Sequence, residues 1–142
     1  MSPHHVAIVH LTSERLRPIR GQIAELFCRR SLELDPTLRA LSLVGLKRQE
    51  RRLMEILSLV LSELTRLDDL APVVRDLGRR HARNGVENRH YATFGCALLW
   101  TMEHVLGSDF TLEVRVAWTE TYLTISTLMM EGAADMLERQ AA

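Results

Sequence analysis

The sequence is poor in several residue types, and each shortage excludes a class of protein. Only two of the 142 residues are cysteines, Cys28 and Cys96, and they are far apart in the chain. They form no CxxC pair, which argues against a zinc site or a framework of disulfides and is typical of proteins in a reducing cytosol. We therefore expect a cytoplasmic protein.

Net charge and long hydrophobic runs are missing as well. Eighteen basic residues balance 18 acidic ones, so the formal net charge is zero and no general attraction to nucleic acid or to an acidic membrane is expected. The mainly apolar stretches are interrupted by glutamate and arginine, so no membrane span is predicted. The N-terminal segment has neither a basic start nor a sustained apolar run, so we expect no signal or transit peptide.

What the sequence does contain is typical of a soluble globular domain. Hydrophobic residues make up 46% of the chain and charged residues 25%. A chain of 142 residues is long enough to bury a core but too short to divide into two domains. We therefore expect a single domain over residues 1–142.

Helical periodicity runs through the chain, and no stretch alternates in the way that a strand requires. The segment 47–66 is the clearest case, because its apolar residues recur at spacings of three and four and would form one buried face. These residues are Leu53, Ile56, Leu57, Val60, Leu61 and Leu64. We predict an all-α fold of about seven helices, packed helix on helix.

Residue types that begin or end helices mark the boundaries in the first part of the chain. A first helix is predicted over about 4–17, and Pro18 favours the start of a second. Asp35 followed by Pro36 is typical of an N-cap and a first turn, so a short third helix is predicted there.

Similar signals divide the later part of the chain. Asp68 and Asp69 are predicted to cap a helix that ends near position 81, and another is expected over about 87–106. Thr111 is predicted to cap the last and longest helix, whose end Gly132 would weaken.

Two histidines lie in LGRRHARNGVENRHYATFG, which spans 77–95, and the first of them admits two interpretations. His81 is predicted in the last turn of a helix, where the macrodipole favours a cationic histidine at the surface. The alternative is that His81 binds a cofactor. No cluster of Cys, His, Asp and Glu favours a bare metal ion, but one axial histidine among apolar helices suffices for haem.

Three longer segments carry a resemblance to a known family. RQERRLMEIL, LGRRHARNGVENRHYATFGCALLW and EVRVAWTETY resemble the single-domain bacterial haemoglobins and the globin domain of flavohaemoglobins. The similarity runs in order from about Glu14 to Met130. The resemblance implies the globin fold around a haem pocket, with haem b as the cofactor and His81 as the proximal ligand of its iron. His90 would be a surface or packing residue rather than a ligand.

The resemblance also implies which residues line the proximal side of the haem. Tyr91 would lie beside His81 and help to fix its orientation. In flavohaemoglobins this tyrosine works with a glutamate of the last helix, and the matching position here is Ala133, two residues after Glu131. The remaining side chains implied to line the haem are Leu77, Val86, Phe94 and Leu98.

On the distal side, some residues match the pattern of these relatives and others depart from it. Gln49 would donate a hydrogen bond to bound O₂, and Leu53, one helical turn later, would keep the site dry. Arg52 either pairs with a haem propionate or is simply solvated. Cys28 stands where many relatives have a tyrosine, and a thiol is a weaker donor. Ser42 stands where globins place a phenylalanine against the haem, so a stacking contact is lost.

Two functions remain open after these comparisons of residues. The first is a haem-b globin that binds O₂, and also CO and NO, for oxygen binding or transport or for NO detoxification. Detoxification needs an electron source, and the sequence contains no GxGxxG fingerprint of a nucleotide-binding domain, so a separate reductase would be required. The alternative, which Cys28, Ser31 and Ser42 favour, is a haem-poor or haem-free globin that serves as a sensor or interaction module.

Overall fold

The computed structural model describes residues 2–40 and 67–141, with side chains over 2–40 and 69–136. Within these ranges there are five α-helices and no strands. The helices are α1 (Pro3–Leu16), α2 (Arg20–Leu34), α3 (Leu67–Arg83), α4 (Asn88–Leu106) and α5 (Leu112–Ala141). The predicted all-α fold is confirmed, while the helix predicted over 47–66 lies outside the described residues.

Side-chain caps begin the helices at most of the predicted positions. The Thr111 hydroxyl accepts the Val114 N–H at 3.3 Å at the start of α5. The Asp35 carboxylate accepts the Thr37 N–H at 3.1 Å, and the short helix that it begins, Pro36–Ala40, is a 3-10 helix. Pro18 lies in another 3-10 turn, Arg17–Ile19, and α2 begins only after it.

One expectation about a helix end is wrong. Asp68 and Asp69 lie inside α3 and do not cap it, because the helix already includes Leu67. Carboxylates in a first turn still interact favourably with the helix dipole, which explains why the sequence signal resembled a cap. Helix α5 continues past Gly132 to Ala141.

The helices pack in pairs around one apolar core. The main pairs are α3 with α5, α2 with α4 and α1 with α5. Val9, Leu77, Met102 and Trp118 belong to the same buried cluster, although they come from four different helices. A buried hydrogen bond fixes one of these pairs, because the Trp118 indole N–H donates to the Thr12 hydroxyl at 2.8 Å and joins α5 to α1.

The pairing of α3 with α5 matters most for the site, because α3 carries His81. The two helices touch through their backbones, since a methyl group added to Gly78 would overlap the carbonyl of Met129. A methyl group on Gly132 would likewise overlap the carbonyl of Arg75. The end of α3 is therefore held directly against α5.

Candidate functional site

His81 is buried in the last turn of α3, with only 8% of its surface exposed. Its Nδ1 lies 3.0 Å from the carbonyl oxygen of Leu77, one turn earlier. A carbonyl can only accept a hydrogen bond, so Nδ1 carries a proton, and in the neutral form of the ring the lone pair would be on Nε2. The surface position that one of the two interpretations required is not observed.

The backbone of His81 is fixed by the corner that follows it. Gly85 has a φ of 94°, the left-handed conformation that favours glycine. The Val86 N–H donates to the His81 carbonyl at 3.0 Å, and the Gly85 N–H donates to the Ala82 carbonyl at 3.1 Å. This pair of bonds is a Schellman motif, and it turns the buried Val86 side chain back into the core.

His90 is held by a different set of contacts and is a packing residue. It is 4% exposed, and its Nδ1 accepts the Glu87 N–H at 2.8 Å as part of a capping box that begins α4. Its Nε2 therefore carries the proton and faces the Asp35 carboxylate at 3.7 Å. The sequence analysis missed this link between the end of α2 and the start of α4, although Glu87 and His90 show the spacing of a capping box.

The predicted proximal residues lie close together. Four of them belong to the same buried cluster, and Phe94 packs against it. The Tyr91 and Phe94 rings meet edge to face, 6.3 Å between centroids. The other members of this apolar group are Leu77, Val86 and Leu98. The predicted proximal lining residues therefore belong to the buried core or pack against it, and the Leu77 carbonyl contacts His81 directly.

Tyr91 carries a buried polar group that the described residues do not satisfy. Its hydroxyl has no hydrogen-bond partner there, and its side chain is 5% exposed. Burial raises the pKa of the Tyr91 phenol to about 12. The backbone of Tyr91 is held by a hydrogen bond, because the Tyr122 hydroxyl donates to the Tyr91 carbonyl at 2.5 Å.

No carboxylate among the described side chains is bonded to the Tyr91 hydroxyl. Ala133 is buried, and its methyl group has no charge to offer. Glu131 lies on the exposed side of α5, where its carboxylate accepts the Arg75 Nε–H at 3.1 Å. The tyrosine–glutamate pair that the resemblance describes is therefore not formed by either residue.

The distal half of the predicted site is only partly described. Cys28 is half-buried and packs against the core cluster. Ser31, one turn later on α2, is buried, and its hydroxyl donates to the Phe27 carbonyl at 2.8 Å. The other predicted distal and cofactor-binding residues lie outside the described residues; they are Ser42, Gln49, Arg52 and Leu53.

The described proximal residues fit an axially ligated haem better than a bare ion. The described part of the chain has no group of three His, Cys, Asp or Glu side chains that could hold a metal ion. It does have a buried imidazole, His81, whose Nδ1–H donates to the carbonyl of Leu77, a residue of the apolar core. The Tyr91 hydroxyl adds an unsatisfied donor in the same region. A single imidazole suffices when a porphyrin supplies the in-plane ligands.

Comparison with known proteins agrees with this geometry. A family model described as Globin matches residues 44–129. The chain is 29% identical over 133 residues to a flavohemoprotein of Bordetella parapertussis, covering 92% of this chain and 33% of that protein. It is 26% identical over 140 residues to a flavohemoprotein of Xylella fastidiosa, covering 96% and 35%. The chain therefore spans about a third of the length of these relatives.

Solved structures show the same fold. An engineered carbene transferase based on a proposed nitric oxide dioxygenase of Rhodothermus marinus superposes with a TM-score of 0.90 at 24% identity, covering 100% of this chain and 99% of that one. A bacterial globin from Campylobacter jejuni gives a TM-score of 0.83 at 16% identity, covering 96% and 99%. None of the helices in the described ranges is long and apolar enough to cross a membrane. The chain belongs to the globin family, and the resemblance seen in the sequence is confirmed.

Proposed function

We propose that this globin binds haem b through Nε2 of His81 and takes up a diatomic gas, O₂, CO or NO, on the opposite face. Family membership and the flavohemoprotein relatives imply a haem protein in general terms. The observation that supports His81 as the ligand is its buried ring, whose Nδ1–H donates to the Leu77 carbonyl. When bound, the haem would supply an iron at which a diatomic gas binds reversibly.

The role proposed for Leu77 is to hold the His81 ring in one orientation and one tautomer. The hydrogen-bond partner of a ligating imidazole tunes the basicity of the ring. A neutral carbonyl attracts the Nδ1 proton less strongly than a carboxylate does. Ala133, which is buried at the position that matches the carboxylate of flavohaemoglobins, offers no negative charge to His81. This supports reversible gas binding over chemistry that cleaves the O–O bond.

The apolar side chains around His81 would exclude water from the proximal face. Leu77, Val86 and Leu98 are each at most 6% exposed. Water exclusion protects the cofactor from competing reactions and strengthens polar interactions with it. The Tyr91 hydroxyl contributes differently, because a buried donor without a partner is destabilising and a bound group with an acceptor atom would relieve that cost.

On the distal side the proposal is based on the sequence. Gln49 would donate to the bound gas, with Leu53 packed beside it, and Arg52 would pair with a propionate. Cys28 is the weak donor in place of a tyrosine, so stabilisation of O₂ would rely on Gln49. Ser42 would leave part of the haem face without an aromatic contact.

The physiological role proposed is oxygen binding or transport in the cytoplasm by a single domain over residues 1–142. NO detoxification is the second role, because two of the relatives are flavohemoproteins and one structural neighbour derives from a proposed nitric oxide dioxygenase. As proposed here, that activity would require a separate reductase partner to return the iron to its ferrous state.

The proposal is tested by titrating the purified protein with haemin and recording the absorption spectrum before and after dithionite and CO. We expect a Soret band that saturates at about one haem per chain and shifts at each addition. His81→Ala should lose this band, and His104→Ala, which alters an exposed histidine of α4, should keep it. Equal spectra in His81→Ala and the native protein would reject His81. A band that never saturates would favour the haem-free sensor or interaction module.

A further inference from the structure

Helices α3 and α5 approach each other through two glycines, which we call the glycine crossing. Gly78 of α3 lies against the carbonyl of Met129, and Gly132 of α5 lies against the carbonyl of Arg75. Both glycines are buried, and at each one an added methyl group would overlap backbone atoms, which cannot move aside as a flexible side chain can. The contact is reciprocal and covers about one turn of each helix.

Ion pairs flank the glycine crossing on its exposed side. Arg75 Nε lies 3.1 Å from the Glu131 carboxylate, and Arg79 lies 3.5 Å from the Asp135 carboxylate. Each pair joins α3 to α5, so backbone contact inside and charge outside hold the same two turns together. Rotation or translation of α3 relative to α5 would have to break both sets of contacts.

The glycine crossing lies next to the groups that orient His81. Gly78 follows Leu77, whose carbonyl accepts the hydrogen bond from His81 Nδ1. His81 itself comes one turn after Gly78, so the turn that touches α5 and the turn that carries the imidazole are continuous helix. A displacement of this crossing would therefore move the imidazole with it.

We propose that Gly78 and Gly132 are positioning residues that set how far the His81 imidazole reaches into the haem pocket. The inference rests on the proposed role of His81 as the haem ligand. Glycine is unfavourable inside a helix, and what it contributes here is an approach that any side chain would prevent. Functional groups must be held within about 0.5 Å of their working position, less than the displacement that an added methyl group would impose.

This arrangement divides the control of the His81 imidazole between two contacts. Ala133, beside Gly132, carries no charge, and Glu131 faces Arg75 on the surface. The placement of α3 against α5 therefore acts on the imidazole without a charge from either of these two residues. The glycine crossing controls where the ring lies, and the Leu77 carbonyl controls which nitrogen carries the proton.

The test uses the haem-loaded ferrous protein with Gly78→Ala and Gly132→Ala. We expect the iron–histidine stretching band in the resonance Raman spectrum to shift in both variants. Loss of haemin to an excess of a scavenging apoprotein should be about tenfold faster, or more, as is usual when the support of a metal ligand is disturbed. An unchanged band together with an unchanged rate of loss would overturn the proposal.

Two controls separate positioning from stability. Gly21→Ala adds a methyl group to a helical glycine that has nothing within 4 Å, so band and rate should not change. Val9→Ala removes methyl groups from the core at α1, so it should lower stability and leave the band in place. A shift in Val9→Ala equal to that in the glycine variants would mean that general destabilisation moves the band, and would overturn the proposal.

A milder variant covers the case in which the alanine variants do not fold. Glu131→Gln combined with Asp135→Asn removes both ion pairs with exposed side chains and inserts no atom into the glycine crossing. We expect a smaller shift of the same band, and no shift would overturn the proposal. If the native ferrous protein shows no iron–histidine band at all, the proposed function fails. If the native protein shows the iron–histidine band and none of the variants shifts it, only the positioning role of the glycine crossing is rejected.

Discussion

At the scale of single residues, Tyr91 combines burial with an unsatisfied hydroxyl. The haem-free protein leaves that donor without a partner among the described residues. An unsatisfied buried polar group costs about 1–3 kcal/mol. We therefore predict that Tyr91→Phe raises the free energy of unfolding of the haem-free protein at pH 7 by about 1 kcal/mol. Urea unfolding of both proteins measures this, and a loss of stability would show that the hydroxyl has a partner.

The same residue predicts how stability changes at high pH. Burial raises the pKa of Tyr91 from 10.0 to about 12, so the folded state keeps a proton that the unfolded state releases. Ionisation of Tyr91 therefore lowers the free energy of unfolding by about 2–3 kcal/mol as the pH rises from 10 through 12. Tyr91→Phe should flatten the fall in stability between pH 10 and 12. Burial also raises the pKa of Tyr122, so this residue should still contribute part of the fall in stability.

Asp35 is expected to affect how stability changes at low pH. Hydrogen bonds from Thr37 and the positive charge of Arg89 lower the pKa of its carboxyl group below the usual 3.8. A lowered folded pKa gives stability that is present above pH 3.8 and is lost as the pH falls through the folded value. Asp35→Asn should therefore lower stability at pH 7 and flatten its loss below pH 4. Unfolding measured by circular dichroism from pH 2 to 7 tests this, and an unchanged acid limb would contradict it.

At the scale of helices, the pairing of α1 with α5 depends on one buried hydrogen bond. The Trp118 indole N–H donates to the Thr12 hydroxyl, and both side chains are at most 7% exposed. Thr12→Val keeps the shape but removes the acceptor, so it should destabilise the protein by about 1–3 kcal/mol.

A double-mutant cycle identifies the cause of that loss. Trp118→Phe removes the donor, and the Thr12→Val/Trp118→Phe double variant leaves neither partner unsatisfied. We expect the double variant to lose less stability than the sum of the two single variants. Additive losses would mean that packing, and not the hydrogen bond, joins α1 to α5.

Helix boundaries show how far local sequence determines structure in this chain. The cap at Thr111 was predicted where the structure has it, because a cap acts within a few residues of itself. Asp68 and Asp69 were interpreted as caps because acidic side chains also favour the first turn inside a helix. The two positions give similar signals in sequence, and only the structure separates them.

At the scale of the whole molecule, the sequence predicted the helical fold but not the contacts between distant helices, and the proximal role of His81 stays a prediction. Gly132 was interpreted as a weak point in α5, whereas the structure places it against Arg75 of α3. The pairing of Asp35 with His90 is of the same kind. A glycine that permits close packing and a glycine that weakens a helix look alike until the partner helix is known.

Cofactor binding should also appear in the stability of the whole molecule. A ligand that binds only the folded chain adds about 2.7 kcal/mol at 100 times its dissociation constant. For a protein of this size, haemin should raise the midpoint of thermal unfolding by about 5–10 °C. His81→Ala should show a much smaller rise. Equal rises in the two proteins would indicate that haemin binds without His81.

The most direct test of His81 as the haem ligand replaces its side chain and supplies an imidazole again from solution. We predict that ferrous His81→Gly with haemin lacks the Soret and CO-shifted bands of the native protein, and that added imidazole restores both. This result would show that an imidazole at this position of α3 holds the haem iron. Native bands in His81→Gly without imidazole would contradict the central claim, because another residue would then be the ligand.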